Sequence, residues 1–290
     1  MDATRVAAGF VAAVLVLTGC TAEEGAEQGV SAPPTHAASD PAGAAPDSRV
    51  PAKPAAERPK PPRVGACYNL DFATATRPTN DSRPVSCAKR HTARTYHVGR
   101  LETVVDGHLL AVDSRLAQRQ VERACPRRLA DHVGGSAETR ALSRLEAVWF
   151  SPTIEESDEG ASWFRCDVVA LASPGKLAPL PPNLKSILDR PRALDRVGLC
   201  ANAAPGTRGF ERVICSRPHA WRAVSTIDIP GGQLYPGVAA VREAGESSCR
   251  DRVRRASGSP ERFTYGWEWP TRNQWRAGQR FGYCWAPDRD

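Results

Sequence analysis

Cysteine is the residue type whose number and spacing say most about the chemistry of this 290-residue chain. The chain has nine cysteines, and none of them form a Cys-x-x-Cys pair, which thiol oxidoreductases and zinc knuckles use. Cys20 follows a short apolar segment near the start, so eight cysteines remain for the rest of the chain. In an exported protein an even set predicts disulfide bonds rather than free thiols. The eight are Cys67, Cys87, Cys125, Cys166, Cys200, Cys215, Cys249 and Cys284.

Two histidines, His91 and His219, each follow a cysteine by four residues in the pattern Val-x-Cys-x-x-x-His. A neutral imidazole can bind a metal, but a disulfide-bonded cysteine is not a thiolate ligand and one histidine is too few for a site. We therefore interpret both rings as structural groups that bond the backbone beside a disulfide, while keeping them as candidates for ligand contact. No metal and no cofactor is expected.

Aromatic residues and arginines are concentrated between residues 265 and 285. Exposed rings stack on sugars or cations, and guanidinium groups bind phosphate or carboxylate. We expect part of this set to form the core, namely Trp267, Phe281 and Tyr283. The predicted ligand-binding residues are Trp269, Arg272, Trp275 and Arg276.

The residues before Cys20 predict export and a lipid anchor. Residues 6–17 are apolar, and a run of about a dozen such residues fits a signal-peptide core but is too short to span a bilayer. The sequence Leu17-Thr18-Gly19-Cys20 resembles the lipobox of bacterial lipoproteins, which implies cleavage before Cys20 and a diacylglyceryl group on its sulfur. The alternatives are an ordinary secretory signal and an uncleaved anchor. We assign residues 1–19 as a lipoprotein signal peptide, with the mature protein on the outer face of the cell membrane.

Two proline-rich segments divide the rest of the chain. Residues 20–63 hold many Ala, Pro, Gly and Ser residues and cannot bury enough apolar surface to fold, so we expect a disordered tether. Residues 173–196 contain five prolines and are predicted to form a semi-rigid linker. The folded part then consists of two modules, at 64–172 and 197–290.

The two modules repeat one order of motifs. A Gly-x-Cys start is followed by Val-x-Cys-x-x-x-His, a third cysteine, a Trp-x-x-Pro motif, a glycine and a final cysteine. The Trp-x-x-Pro motifs begin at Trp149 and Trp267. Agreement of so many ordered features indicates an internal duplication. The two copies differ in charge after this motif. The second copy carries arginines there, whereas the loop after Trp149 carries the acidic residues Glu155, Glu156, Asp158 and Glu159.

Local patterns predict an α+β fold for each module. A β-prone segment follows the Cys/His motif and leads into a helix that carries the third cysteine, and the fourth cysteine lies on a final strand. The third cysteine lies among apolar helix residues, which are Leu116, Val121 and Leu129 in the first module and Val238, Val241 and Val253 in the second. The predicted strands cover 94–105, 221–229, 163–170 and 281–285, and the predicted helices cover 115–133 and 238–255. We expect two tandem small disulfide-bonded modules, each a small sheet with one main helix.

Four cysteines within each module allow three connectivities, and spacing alone does not decide between them. We expect the first cysteine to pair with the second, which closes a short loop, and the third with the fourth, which links the helix to the final strand. Each bond contributes about 2 to 4 kcal/mol to a domain with so limited a core. The expected bonds are Cys67–Cys87, Cys125–Cys166, Cys200–Cys215 and Cys249–Cys284.

Taken in this order, the motifs are similar to those of the septum-formation family of actinobacterial envelope proteins. The resemblance covers most of both modules, with one copy in each. It implies an extracytoplasmic module, commonly carried by lipoproteins or membrane proteins, that is connected by name with cell division. It implies no catalytic residues.

Charge and the lack of catalytic motifs favour a binding protein over an enzyme. The formal net charge of +7 favours anionic surfaces such as phospholipid headgroups or wall polymers, while nucleic acid is not expected outside the cytoplasm. Ser173 and Lys176 have the Ser-x-x-Lys spacing, but Pro174 and Gly175 oppose the helix that this motif needs. We predict an envelope binding protein whose partner is an envelope protein or an anionic wall polymer. A wall hydrolase with unidentified carboxylates is the alternative, and a structural scaffold is a third possibility.

The lipid anchor gives a direct test. Replacement of the predicted acceptor, Cys20→Ala, is expected to leave the precursor unprocessed or release the protein from the membrane, because the sulfur that carries the lipid is gone. Gel mobility and membrane fractionation measure this, with globomycin-treated wild type as the control for blocked processing. Unchanged mobility together with membrane retention contradicts the prediction.

Overall fold

The computed structural model describes residues 59–258 and 261–288. The predicted signal peptide, Cys20 and most of the predicted tether lie outside these residues. The described residues belong to one compact unit. None of the helices in the described part of the chain has both the length and the apolar character needed to cross a bilayer.

The first half of the described chain forms a five-stranded antiparallel sheet with one long helix against it. The strand order is β1-β2-β6-β5, and β7 pairs with β6. A separate two-stranded hairpin, β3 with β4, precedes the long helix. The elements are β1 (Cys67–Tyr68), α1 (Phe72–Ala75), β2 (Ala93–Arg100), β3 (Val104–Val105), β4 (His108–Leu109), α2 (Arg115–Val133), α3 (Ala137–Ala141), β5 (Leu145–Phe150), α4 (Ile154–Asp158), β6 (Trp163–Ser173) and β7 (Lys176–Ala178).

The second half has the same plan. Its five-stranded sheet has the order β11-β12-β10-β8-β9, so the path β8-β10-β12-β11 corresponds to β1-β2-β6-β5. A long helix again follows the second strand of that path. The elements are a short 3-10 helix (Ile187–Asp189), α5 (Ala193–Val197), β8 (Leu199–Ala201), β9 (Arg212–Ile214), β10 (Trp221–Asp228), α6 (Val238–Ala256), β11 (Gly266–Glu268), α7 (Arg272–Arg276) and β12 (Phe281–Pro287).

The two long helices cover the residues predicted from the sequence, to within one residue. The Ser114 hydroxyl caps α2 by accepting a hydrogen bond from the backbone N–H of Ala117 at 3.3 Å. Each helix buries a series of residues four apart, which is one helical face. The two series are Ala117, Val121, Cys125, Leu129 and Val133 in α2, and Val241, Gly245, Cys249 and Val253 in α6.

Leu116 and Val238, which the sequence groups with the helix cysteine, fall outside these series. They are 47% and 59% exposed. In α6 the close approach of the sheet depends on Gly245, since a Cβ at this position would lie 2.1 Å from a ring atom of Trp267. The indole of Trp267 occupies the space that a side chain would need and donates a hydrogen bond to the carbonyl oxygen of Arg242 at 2.9 Å.

All four disulfides have the pairing expected from the sequence. Cys125–Cys166 joins α2 to the inner strand β6, and Cys249–Cys284 joins α6 to the inner strand β12. Cys67–Cys87 and Cys200–Cys215 each tie the first strand of a half to a segment that follows it. An α+β fold with four disulfides is therefore confirmed.

Residues 173–196 differ from the predicted linker, because they are packed into the core. Leu184 is fully buried and lies in one apolar cluster with residues of α2 and β6. The Leu180 N–H donates to the carbonyl oxygen of His91 at 2.9 Å, and Arg94 donates to that of Pro182 at 2.8 Å. The prolines limit the segment to short elements, namely β7, a 3-10 helix and the start of α5, and they leave the apolar residues between them free to be buried.

The two halves are joined at this segment into one unit, so the structure does not divide into two separate tandem modules. The backbone N–H of Leu199 donates to the carbonyl oxygen of Leu142 at 2.8 Å, and that of Arg144 donates to Val197 at 2.7 Å. Ile214 of β9 belongs to the apolar cluster of the first half.

The buried segment 180–188 can be tested by truncating one side chain. Leu184→Ala is expected to lower the free energy of unfolding by about 2 to 5 kcal/mol, because it leaves a cavity in the core. Leu109→Ala is the matched control, since Leu109 is 81% exposed and its truncation removes little packing. Denaturant unfolding of both variants measures the effect, and equal stabilities would show that the segment is not part of the core.

Candidate functional site

The two histidines close equivalent turns beside the first disulfide of each half. The Nδ1 atom of His91 lies 2.9 Å from the carbonyl oxygen of Lys89, and that of His219 lies 2.7 Å from the carbonyl oxygen of Arg217. Both side chains are almost fully buried. This backbone contact is the structural role that the sequence suggests, and it leaves neither ring on an open surface.

One group of three potential metal ligands is found among the described residues, formed by Cys200, His219 and Asp288. The sulfur of Cys200 is bonded to Cys215 and is therefore no thiolate ligand. One carboxylate oxygen of Asp288 already accepts hydrogen bonds from the Arg222 Nε at 2.5 Å and the His219 Nε2 at 3.0 Å. The group is better described as an ion-pair network than as a metal site.

This network changes the titration of Asp288. Partial burial alone raises the pKa of the carboxyl group, but the hydrogen bonds and charges of Arg222 and His219 outweigh burial and hold the pKa below its ordinary value. Arg222 also contacts Asp195 at 3.1 Å. The network therefore ties the end of β12 to the histidine turn and to the end of α5.

A second ion pair is enclosed in the sheet of the first half. Arg165 and Asp167, on either side of Cys166, have side chains 3% and 0% exposed, and their Nε and Oδ2 atoms lie 3.1 Å apart. The Arg165 guanidinium lies between the rings of Tyr68 and Phe150, with its Cζ atom 4.0 Å and 4.5 Å from the two ring centres. Such a flat, enclosed guanidinium packs like an apolar group on both faces.

Burial raises the pKa of Asp167 to about 6, although the charge of Arg165 and a hydrogen bond from Thr95 act in the opposite direction. The Thr95 hydroxyl donates to Oδ1 of Asp167 at 2.7 Å. Because Asp167 is enclosed, it does not form one of the two facing carboxylates in an open cleft that a wall hydrolase needs.

Trp275 is fully buried, so its predicted contact with a ligand is wrong. The edge of Tyr235 lies against it, with ring centres 5.9 Å apart, and the Arg280 guanidinium lies 4.3 Å above its ring. The short helix α7 has polar residues on both sides of Trp275 in the sequence, which suggested exposure. A helix of one turn nevertheless presents one side chain to the core, and here it is the tryptophan.

The other three predicted residues lie on a surface that also includes Tyr235 and Arg242, and we call these five residues the arginine–aromatic face. Arg272 is exposed with its Cζ atom 5.5 Å from the Tyr235 ring centre, and Arg242 has the same distance to the Trp269 ring. The Tyr235 hydroxyl donates to the carbonyl oxygen of Pro270 at 3.2 Å, which fixes the ring to the segment that follows Trp269. Arg276 is exposed and donates to the side-chain oxygen of Asn273.

Sequence reasoning missed Tyr235 and Arg242. Tyr235 lies just before α6 and Arg242 lies in its first turns, so most of that helix separates them from the aromatic segment at 265–285. The available signal was the position of Arg242 directly after Val241, since α6 buries Val241 and must expose its neighbour. A guanidinium held over a ring still presents its N–H edge to solvent. That edge binds phosphate or carboxylate groups in bidentate geometry.

Residues 64–284 match the protein family described as Septum formation. The chain belongs to the septum-formation family. The match runs through both halves as one span. No curated protein and no solved structure is similar enough to the chain to be matched.

In this septum-formation protein the arginine–aromatic face has an acidic counterpart in the first half. Helices α4 and α7 follow the two Trp-x-x-Pro motifs, and both begin with a threonine capping box, at Thr153 and Thr271. The first helix exposes carboxylates, among them Glu155, while the second exposes arginines. Only the second half therefore presents cations at this position of the fold.

The enclosed carboxyl group of this protein predicts a pH effect on stability. In the unfolded chain Asp167 ionises near its ordinary pKa of 3.8, whereas in the folded protein it keeps its proton up to about 6. Because the folded state binds more protons in this window, the free energy of unfolding contributed by Asp167 falls as pH rises from about 4 to 6.

The variant Asp167→Asn is expected to lack that contribution, since an amide does not titrate. Denaturant unfolding at several pH values measures the difference between wild type and variant, which cancels the other titrating groups. Parallel curves for the two proteins between about pH 4 and 6 are the contradicting result.

Proposed function

We propose that this protein is a lipid-anchored binding protein of the cell envelope that attaches to an anionic wall polymer through the arginine–aromatic face. Four disulfides and membership of the septum-formation family are consistent with a location outside the cell membrane. The family also suggests a role near the division site. The predicted lipid on Cys20 supplies the anchor.

The observation that best supports binding to an anionic polymer is the fixed position of the exposed arginines. Arg242 and Arg272 lie over aromatic rings that are themselves held by the core, so their guanidinium groups lose little freedom when they bind an anion. Trp269 is half-buried, so part of its side chain is available to a sugar unit between two anionic groups. Polyanions that alternate sugar or polyol units with phosphate fit this arrangement.

The charge around the face favours the same ligand class. Residues 250–280 contain eight arginines, no lysine and three acidic residues. A surface with this excess attracts a polyanion from a distance and concentrates it at the face. An attraction of this kind weakens as salt shortens the Debye length.

The segment before the folded part suits a protein that reaches into the wall. Residues 20–63, taken as polyproline II, would extend about 130 Å, and as a flexible coil about 35 to 40 Å. Either length separates the arginine–aromatic face from the anionic lipid headgroups. The face is then available to the wall rather than to the membrane.

We also propose that the two halves are tandem copies of one ancestral unit. The equivalent strand order, the equivalent disulfides and the two capping boxes support this history. The copies have diverged in charge at α4 and α7. Polymer binding is accordingly assigned to the second half alone.

Polymer binding can be measured by cosedimentation of the purified mature protein with isolated cell walls. The variant Arg272→Gln with Arg276→Gln is expected to weaken binding about tenfold, because two charged contacts are lost. Removal of the phosphodiester polymers from the walls by acid extraction is expected to abolish binding by the wild type.

A variant with the same loss of charge serves as the control. Arg250→Gln with Arg252→Gln removes two exposed arginines of α6 that lie outside the face. Binding that falls equally in both variants would assign the effect to net charge and refute a defined face. Undiminished binding to walls stripped of phosphodiester polymers would refute the ligand class.

A further inference from the structure

The Cys67–Cys87 disulfide differs from the other three in its exposure to solvent. Cys87 is exposed, whereas the other seven disulfide-bonded cysteines are 0 to 6% exposed. Its Sγ atom contacts the carbonyl oxygen of Gly65 at 3.4 Å on the exposed side of β1. A thiolate must approach a sulfur along the S–S axis, and this approach is open only at a sulfur that solvent reaches. Cys87 offers it.

The segment that carries Cys87 is held by few backbone contacts. One isolated bridge joins Cys67 to Val85, through a hydrogen bond from the Val85 N–H to the Cys67 carbonyl oxygen at 2.8 Å. A turn follows in which the Lys89 N–H donates to the carbonyl oxygen of Ser86 at 2.9 Å. No regular strand carries Cys87.

The equivalent bond in the second half is held more firmly. There β9 pairs with β8 over three residues, from Leu199↔Ile214 to Ala201↔Arg212. The Cys215 N–H donates to the carbonyl oxygen of Gly198 at 3.0 Å. Cys200–Cys215 therefore occupies the same place in the fold without the same access, and it is an internal control.

Two exposed cations follow Cys87 in the chain. Lys89 and Arg90 are two and three residues further on, and both are exposed. Positive charge near a sulfur attracts an attacking thiolate and stabilises the thiolate that is released. Access and charge thus favour reaction at the same sulfur.

We propose that Cys87 is a thiol–disulfide exchange site for a dithiol oxidoreductase of the envelope. A thiolate of the reductant attacks the Sγ of Cys87, the Cys67–Cys87 bond breaks, and Cys67 leaves as a thiolate that takes up a proton. The second thiolate of the reductant then attacks the reductant's own sulfur in the mixed disulfide and releases Cys87 as a thiolate. Two electrons pass to the protein, and the reductant ends as its intramolecular disulfide.

Exchange at Cys87 frees a strap, residues 77–90, that covers the enclosed ion pair of the first half. Apart from the disulfide, the strap is held at Pro78, whose carbonyl oxygen accepts from the Ser151 N–H at 2.9 Å, and at Asn80, whose side-chain oxygen accepts from Arg165 at 3.2 Å. The bridge from the Val85 N–H to the Cys67 carbonyl oxygen also holds it. Opening the covalent loop returns chain entropy to this segment. Reduction therefore uncovers Arg165 while the sheet stays intact. The site goes beyond wall binding and does not depend on it.

The exchange site can be tested by stepwise reduction of the intact mature protein. Dithiothreitol at rising concentration, followed by alkylation and peptide mapping, is expected to label Cys67 and Cys87 at a concentration about tenfold lower than Cys200 and Cys215. Lys89→Ala with Arg90→Ala is expected to slow labelling of Cys87 several-fold, while the matched Arg217→Ala is expected to leave it unchanged. Joint reduction of all four bonds, or earlier reduction of Cys200–Cys215, overturns the proposal.

A second variant tests the release of the strap without a reductant. Cys67→Ser with Cys87→Ser is expected to keep the other three disulfides and the folded near-ultraviolet spectrum, and to be cut by trypsin after Lys89 or Arg90 faster than the wild type. Loss of the folded spectrum would mean that the bond holds the whole half together. Unchanged trypsin resistance would mean that the strap is not released. Either result overturns the proposal.

Discussion

Each half of the protein depends on a covalent link between its long helix and an inner strand of its sheet. Cys125–Cys166 and Cys249–Cys284 are fully buried at the middle of these contacts. Each bond fixes which helical face meets the sheet. The other buried residues of α2 and α6 lie on that same face, at intervals of four from the cysteine. In cores this small, each cross-link contributes about as much as one or two buried side chains. The outer strands and the short helices are arranged around these two points.

The two halves use the same arginine–aromatic contact with the partners exchanged. In the first half β6 supplies the cation, Arg165, and β1 and β5 supply the rings. In the second half β12 supplies the ring of Tyr283, and Arg212 of β9 lies 4.7 Å from its centre. Arg212 is neutralised by Glu268 at 2.8 Å, as Arg165 is by Asp167. The position just before the buried cysteine therefore accepts either an arginine or an aromatic residue, provided that the other member of the pair packs against it.

Much of this architecture could be predicted because its signals are local and occur twice. The cap at Ser114 and the repeated position of the helix cysteine were enough to place α2 and to favour one disulfide pairing. The failures concern contacts between residues far apart in sequence. Nothing in the local pattern around Trp275 tells that Tyr235 and Arg280 enclose it, and prolines between residues 173 and 196 concealed apolar side chains that the first core needs. The face around Trp269 was only partly predicted for the same reason, since Arg242 reaches it from another element.

The burial of residues 180–188 has a consequence for how this gene can be cut and recombined. A fragment that ends before residue 180 would leave the end of α2 facing water, because Leu184 and its neighbours cover that end. A fragment that begins after residue 188 would separate Ile214 from the first-half residues that bury it. Neither half is a cassette that recombination can transfer to another chain. Whatever their origin, the two halves now form one folded unit.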